Sequence, residues 1–321
     1  MRSAGLYCPA GDFYIDPAKP VARAVITHAH GDHARKGSMQ YWSSREGEAL
    51  LRVRVGQKTW INALDWGQPA QIGAARVSLH PAGHVLGSAQ VRIEAEGQVW
   101  VISGDYKRDD DPTCTPFEPV PCDVFVTEAT FGLPEYRWPA ASETAREIHQ
   151  WWEQNAAEGQ ASVLFSYALG KAQRILAELT RYTGRKVWLH GAMTPLVEVY
   201  RKAGVNMLPT ESAVAPPRTK DFAGELILAP PAARGTPWMK RFRPYRCGFA
   251  SGWMQKDLRR EAYDRGFILS DHADWDGLLL SIGQSGAGRV LAMHGHTETL
   301  VAHLREQGID AAALPGAAPG Y

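Results

Sequence analysis

Residues 26–33 read Ile26-Thr27-His28-Ala29-His30-Gly31-Asp32-His33. The apolar run Ala24-Val25-Ile26 before them suits a short buried strand, so the polar residues fall where that strand ends, at the rim of a sheet. His28 and His30 are two apart, which lets both rings project the same way. Gly31 lets the backbone turn, and Asp32 and His33 can then face a neighbouring point. Two imidazoles aimed at one ion and a carboxylate–imidazole pair aimed at another suit a dinuclear centre, with zinc expected first and manganese second. A solvated loop would not need three histidines and an aspartate packed into residues 28–33.

Working outward, other ionisable residues also end strand-like runs. His84 lies in Pro81-Ala82-Gly83-His84-Val85-Leu86-Gly87-Ser88, Asp105 follows Val99 to Ile102, and Glu128 follows Val124 to Thr127. His272 follows Phe267 to Ser270, and His294 follows Val290 to Met293. One such residue is usually a hydrogen-bonded rim group; their common placement suggests a shared site. His80 and His296 flank this set without a definite role. His149, His190 and His303 lack partners at ligand spacing and read as helix-surface or strand-end residues.

The 321 residues, 45% apolar and 21% charged, suffice for about two domains with a sizeable core. Short strands dominate up to about residue 135. From Pro134 the pattern becomes strand–helix alternation: a helix capped by Ser142 with Ala145, Ile148 and Trp152 on one face, the strand Ser162 to Phe165, a helix carrying Ala172, Ile175, Leu176 and Leu179, the strand Lys186 to Leu189, and a helix from Pro195 to Arg201. That alternation predicts a small α/β unit with parallel strands. Pro-rich stretches at Ala213 to Pro217 and Ala229 to Pro237 mark its far boundary. Strands return at Phe267 to Leu269 and Val290 to Met293, a helix runs from Thr299 to Gln307, and the last ten residues read as loosely held. The predicted organisation is a first domain segment over 1–135, an inserted unit over 136–234 and a second segment of the first domain over 235–321.

No apolar run is long enough to span a membrane, and the first residues lack the apolar core of a signal peptide. Four scattered cysteines form no C-x-x-C pair, so reduced thiols in a cytoplasm are expected. The net charge of +1 points to no polyanion, but residues 238–260 hold seven basic side chains (Lys240, Arg241, Arg243, Arg246, Lys256, Arg259, Arg260) against Asp257 alone. Trp238, Phe242, Tyr245, Phe249 and Trp253 are interleaved with them. Phosphate contacts beside stacking faces are what a single-strand groove uses, with Lys240, Arg241 and Arg243 the expected contacts and Phe249 and Trp253 expected in the core.

His28-x-His30-x-Asp32-His33, with Asp16 upstream, His84 and Asp105, resembles the metallo-β-lactamase fold, an αββα sandwich. The inserted α/β unit, Glu128 in Thr127-Glu128-Ala129-Thr130, His272 in Ser270-Asp271-His272-Ala273-Asp274 and His294 in Met293-His294-Gly295-His296 resemble the three added motifs of its β-CASP nuclease branch. Ala168-Leu169-Gly170-Lys171-Ala172-Gln173 is similar to the strand-to-helix turn of that branch's cap. The opening Gly5-Leu6-Tyr7-Cys8-Pro9-Ala10-Gly11-Asp12 resembles the bacterial DNA-ligase-associated exonucleases. The resemblance implies an α+β metallo-β-lactamase domain carrying a β-CASP cap. His28, His30 and His84 would hold one ion, Asp32, His33 and His294 the other, and Asp105 would bridge them. Asp32 would also count among the catalytic residues. A hydroxide shared by two ions about 3.5–4 Å apart would attack phosphorus, His272 would stabilise the oxyanion or protonate the leaving oxygen, and Glu128 would orient it. Asp271 is expected as a rim carboxylate or as support behind the ligands.

The expected activity is a metal-dependent DNA exonuclease acting in repair, with nucleic acid as partner, a DNA ligase and helicase of the same pathway as candidate associates, and no membrane. A histidine at the third motif is commoner in RNA-processing members, so an RNA-processing nuclease is the alternative. Less expected are a small-molecule metallohydrolase, against which the inserted unit, Glu128 and His272 argue, and a non-catalytic scaffold, which would have lost ligands.

Overall fold

A computed structural model describes residues 2–214, 220–256 and 262–314. The chain divides into two compact units, Met1–Arg137 with His272–Tyr321, and Trp138–Asp271.

The first unit contains two sheets. One has five strands in the order Leu6–Cys8, Phe13–Ile15, Arg23–Val25, Gln40–Ser44, Ile61–Leu64. The other has seven: Asp310–Ala313, Arg289–Met293, Val124–Glu128, Gln98–Ile102, Ala89–Ala95, Ala75–Pro81 and Ala70–Ile72. Their inner faces share one apolar cluster, in which Phe13, Ile15 and Val25 meet Val77, Val91, Ile102 and Val126. The outer face of the larger sheet (Val101, Phe125, Val290, Ala292) packs on Trp275, Leu278 and Ile282 of the helix Trp275–Ser285 and on Leu300 and Leu304 of Thr297–Glu306. The outer face of the smaller sheet packs Ala24, Ile26 and Tyr41 on Leu51 and Val55 of the helix Glu48–Val55. The layers therefore run helix, sheet, sheet, helix, each sheet face being apolar because both are covered.

The direction of the strands positions the site. Gln98–Ile102, Val124–Glu128 and Arg289–Met293 are mutually parallel. Ala75–Pro81 joins them through the antiparallel Ala89–Ala95, so it points the same way. All four carboxyl ends lie on one edge of the larger sheet, and the backbone amide of Ala89 there donates to the Thr27 carbonyl at 2.8 Å.

The second unit is a six-stranded sheet in the order Thr210–Ser212, Val187–Leu189, Leu226–Ala229, Ala161–Phe165, Tyr245–Ala250, Arg265–Phe267, every pair parallel. The expected alternation is present: the helices Ala141–Ala157, Lys171–Glu178 and Thr194–Lys202 lie between strands. Two details differ. The first helix starts at Ala141 with Ala140 as its extended cap and no side-chain capping bond, so Ser142 is inside the first turn. The unit also runs past the expected limit at 234 to Asp271. Tyr245–Ala250 pairs in parallel with Ala161–Phe165, and Arg265–Phe267 pairs with it in turn, so the chain after the Pro-rich turn stays in this sheet. The strand expected at Phe267 to Leu269 ends at Phe267 and belongs here.

Residues 215–219, 257–261 and 315–321, which include Arg259, Arg260 and most of the C-terminal run expected to be loose, lie outside the described residues. The start of that run forms the edge strand Asp310–Ala313, paired with Arg289–Met293.

Candidate metal centre

Local backbone chemistry turns each strand end toward the same point. Gly104, with φ of +58°, lies against Thr27, and a Cβ at Gly104 would come within 2.6 Å of the Thr27 side chain. Only glycine lets the Asp105 loop approach the histidine loop so closely. His294 itself adopts φ of +61°, a conformation rarely held by a non-glycine residue and often kept where a side chain must be aimed.

The result is a cluster of imidazoles around one carboxylate. His30 Nδ1 lies 3.0 Å from His28 Nε2 and 3.0 Å from His84 Nε2. Asp105 Oδ2 is 3.5 Å from His28 Nε2, 3.7 Å from His84 Nε2 and 3.4 Å from His33 Nε2. His33 Nε2 is in turn 3.6 Å from Asp32 Oδ2, and the rings of His33 and His294 are 6.0 Å apart. His28, His33, His84 and Asp105 are buried, whereas Asp32 is exposed.

The far side of the rings is also specified. His33 Nδ1 donates to Asp16 Oδ2 at 2.7 Å. The Thr27 hydroxyl donates to the same carboxylate and accepts from His28 Nδ1 at 3.0 Å. Both rings thereby turn Nε2 inward, the arrangement by which outer hydrogen bonds orient metal ligands. Asp16 can be grouped with His28 and His33 by distance, but it holds the outer nitrogen of His33 and is better described as the group that aims that ring.

Burial, then the neighbouring His33, push His28 well below the ordinary histidine pKa. At His33 burial works in the same direction, but Asp105 and then Asp16 overcome it and hold the ring well above its ordinary value. Asp105, despite burial, is held well below the ordinary carboxylate range by His33, His28 and His272.

The donor set fits divalent cations. Nitrogen and oxygen ligands at about 2.0–2.1 Å from a tetrahedral ion lie about 3.3 Å from one another, and the contacts among His28, His30, His84 and Asp105 span 3.0–3.7 Å. His28, His30, His84 and Asp105 form one group able to hold an ion. His33 Nε2 approaches the same Asp105 Oδ2 at 3.4 Å, so that oxygen is shared between the two expected groups. Asp32 and His294 flank His33; among the described residues they do not join a group whose donors all lie within 4.8 Å.

His272 Nδ1 donates to Glu128 at 2.8 Å (Oε2) and 3.0 Å (Oε1), and its ring centroid is 4.7 Å from that of His84. Glu128 is fully buried as the last residue of its strand, and Oε1 also accepts the Tyr106 amide at 2.8 Å. This pair meets Asp105 as a further candidate ligand group.

Other expectations are altered. Asp271 is not at a rim: it is buried and bonded to the buried Lys171 ammonium at 2.7 Å, while Arg174 donates to the Ser270 carbonyl at 2.7 Å. Sequence reasoning did not find these two cations as partners of that segment; the only available signal was their position in the Gly170-Lys171 turn. His80 belongs to the strand leading to His84 and contacts Ser78 and Glu118. His296 caps the helix Thr297–Glu306 and stacks on Tyr136 at 6.1 Å. Of the basic stretch, Lys240 and Arg243 are exposed, but Arg241 is bonded to the carbonyls of Ala213 and Val214. Phe242 is buried in the core, with Trp238 and Tyr245 packed against it, so these rings are not free stacking faces.

No protein-family model matches the chain. It is 32% identical over 323 residues, 97% of its own length, to a protein of Opitutus terrae named "Probable DNA ligase". It is 31% identical over 215 residues to a ribonuclease of Thermus thermophilus and 32% identical over 133 residues to an endoribonuclease of Gibberella zeae, matches covering 59% and 39% of the chain. The chain spans 30%, 47% and 15% of these three relatives. A solved structure of a protein of unknown function from Enterococcus faecalis V583 matches 91% of this chain and 79% of its own with a TM-score of 0.62 at 13% identity, a likeness of fold.

Proposed function

The chain belongs to the β-CASP metallo-β-lactamase nucleases, and from that premise we propose that it is a metal-dependent phosphodiesterase, a DNA exonuclease acting in repair. On this reading the first unit is the metallo-β-lactamase αββα sandwich and the second is the cap. The observation that carries the proposal is the position of Asp105 Oδ2, within 3.4–3.7 Å of three imidazoles, two from the loop after Ile26 and one from the loop after Pro81.

His28, His30 and His84 would hold one divalent ion, Asp32, His33 and His294 a second, with Asp105 between them. Zinc suits the nitrogen-rich side and manganese is the alternative. Such ions, when bound, make water nucleophilic at neutral pH and neutralise charge on phosphoryl oxygens. His272 does the proton work. With Nδ1–H held by Glu128, its exchangeable proton is on Nε2, from which it can bond a developing oxyanion or protonate the departing oxygen. Glu128 holds the Nδ1 proton and orients the ring. Lys240 and Arg243 are the members of the basic stretch proposed to meet the nucleic-acid backbone. Arg241 would have to leave its carbonyls to do so.

DNA is favoured by the relative from Opitutus terrae, named a probable DNA ligase, whose match extends over nearly the whole chain; a ligase, with a helicase of the same pathway, is the proposed associate. The ribonuclease reading is favoured by the names of the other relatives. A cytoplasmic setting suits four free thiols; among the described residues no helix is long and apolar enough to cross a membrane.

Incubation with 5′-labelled single-stranded DNA, duplex DNA and RNA, with zinc or manganese, tests this. Shortening of DNA is expected, as a ladder if digestion starts at the 3′ end and as a released labelled nucleotide if it starts at the 5′ end. Preferential cleavage of RNA selects the second reading, and no cleavage of any strand beside turnover of a lactone or thioester rejects both.

A further inference from the structure

Beside the metal-ligating loop lies a cation that the reading above does not use. Arg54, in the last turn of the helix Glu48–Val55, donates Nε to the Ala29 carbonyl at 3.2 Å. Its guanidinium lies against Gly31, where a Cβ would meet one terminal nitrogen at 3.5 Å, Cζ at 3.7 Å and the other terminal nitrogen at 3.9 Å. It therefore touches the loop between His28 and Asp32.

Its neighbour Arg52 shows what a structural arginine on this helix looks like. Arg52 places two nitrogens on Glu48 and the third on the carbonyls of Gln57 and Thr59. Among the described residues Arg54 has only its Nε bond and no ion pair. One nitrogen anchors the side chain, and both terminal nitrogens remain unused. Gly31 beneath it is exposed, and Asp32, Arg35 and Lys36, on the continuation of the same loop, are exposed too. Ala34 packs with Leu51 and Val55, fastening that loop to the Arg54 helix. A held guanidinium with its planar fork open and no carboxylate to neutralise it is complementary to a phosphate.

We infer that Arg54 binds a backbone phosphate of the nucleic-acid strand next to the metal centre, acting in substrate binding and not as a ligand. The inference deepens the nuclease reading and rests on it.

The test uses the metal-loaded protein and a fluorescein-labelled single-stranded DNA with non-hydrolysable phosphorothioate linkages, titrated at salt from about 50 to 200 mM. Arg54→Gln is expected to weaken binding about tenfold, as for loss of one charged hydrogen-bonding contact. It should also make the slope of log affinity against log salt shallower by about 0.7, the value for one phosphate contact on a single strand. Arg54→Lys should keep the wild-type slope, and metal content should be unchanged in both. A role limited to clamping the loop predicts the opposite: wild-type slopes throughout, or Arg54→Lys as impaired as Arg54→Gln. Either result overturns the inference. Should Arg54→Gln fail to fold, a shallower slope in Arg54→Lys would overturn it equally. Cleavage of the ordinary phosphodiester oligonucleotide by the wild-type protein is the parallel arm. If that fails, the nuclease reading falls and takes this inference with it.

Discussion

Buried ionisable groups are treated oppositely in the two units. In the second unit Lys171 and Asp271 are both buried and close on each other at 2.7 Å, with Arg174 capping the adjacent Ser270 carbonyl. In the first unit four imidazoles gather around the single carboxylate of Asp105, and His30 Nδ1 lies 3.0 Å from both His28 Nε2 and His84 Nε2. The Lys171–Asp271 pair balances its charge within itself. Imidazole nitrogens crowded inward around one buried carboxylate are unfavourable alone and become favourable when divalent cations displace the protons they hold. The contrast is between a fastening and a receptor.

The receptor side can be broken first, with the largest expected effect. Asp32→Ala/His33→Ala should lower cleavage at least about a thousandfold, about 4 kcal/mol of barrier, while circular dichroism shows a folded chain. A fully active double variant would remove the second ion from the account. The fastening side should fail differently. Lys171→Met takes the ammonium away from the buried Asp271 and should cost about 3–5 kcal/mol in urea denaturation, much of it regained in Lys171→Met/Asp271→Leu. If the single variant is as stable as wild type, the pair is not the closed structural unit described here.

A third substitution sharpens the border between the two kinds of group. His272 is committed on one side, through Nδ1 to Glu128, and lies beside His84 on the other. His272→Ala should keep its bound metal and turn over about a hundredfold more slowly, within the range for loss of a general acid. Metal analysis decides between roles: loss of an ion would make His272 a ligand through the Asp105–Glu128–His272 group.

Which parts of this were legible depended on how local the signal was. His28, His30, Asp32 and His33 sit on one strand end, so their spacing already constrains the geometry. His84, Asp105, Glu128 and His294 could be picked out because each follows a short apolar run, and a parallel sheet gathers such ends on one edge. Their distances were not legible, since Gly104 and the φ of His294 act only after the sheets are stacked. The second boundary was misplaced because Pro-rich turns mark loops, and a loop need not end a domain; the strand Tyr245–Ala250 carries its own arginine and aromatics into the second sheet. Phe242 likewise reads as a stacking face until its neighbours Phe222 and Trp238 are seen at 4.8 and 4.6 Å. Asp271 reads as a rim residue because Ser270-Asp271-His272 is polar, and its burial depends on Lys171, distant in sequence.

The smallest effect tests how the receptor is held open. Asp16 accepts from the Thr27 amide at 2.8 Å, from the Thr27 hydroxyl and from His33 Nδ1 at 2.7 Å. Asp16→Asn keeps the shape but leaves one acceptor oxygen where there were two, so either Thr27 or His33 loses its partner. The loop should stay folded, since the amide can still close the Thr27 turn. His33 would then be free to rotate or change tautomer, while His30 and His84 keep their positions. Metal affinity should fall about tenfold, at the low end for loss of an orienting group, and for one of two ions only. Competition titration against a chelating dye resolves the two steps. Equal weakening of both would mean that Asp16 holds the whole loop, and an unchanged second step would mean that His33 is aimed by packing alone.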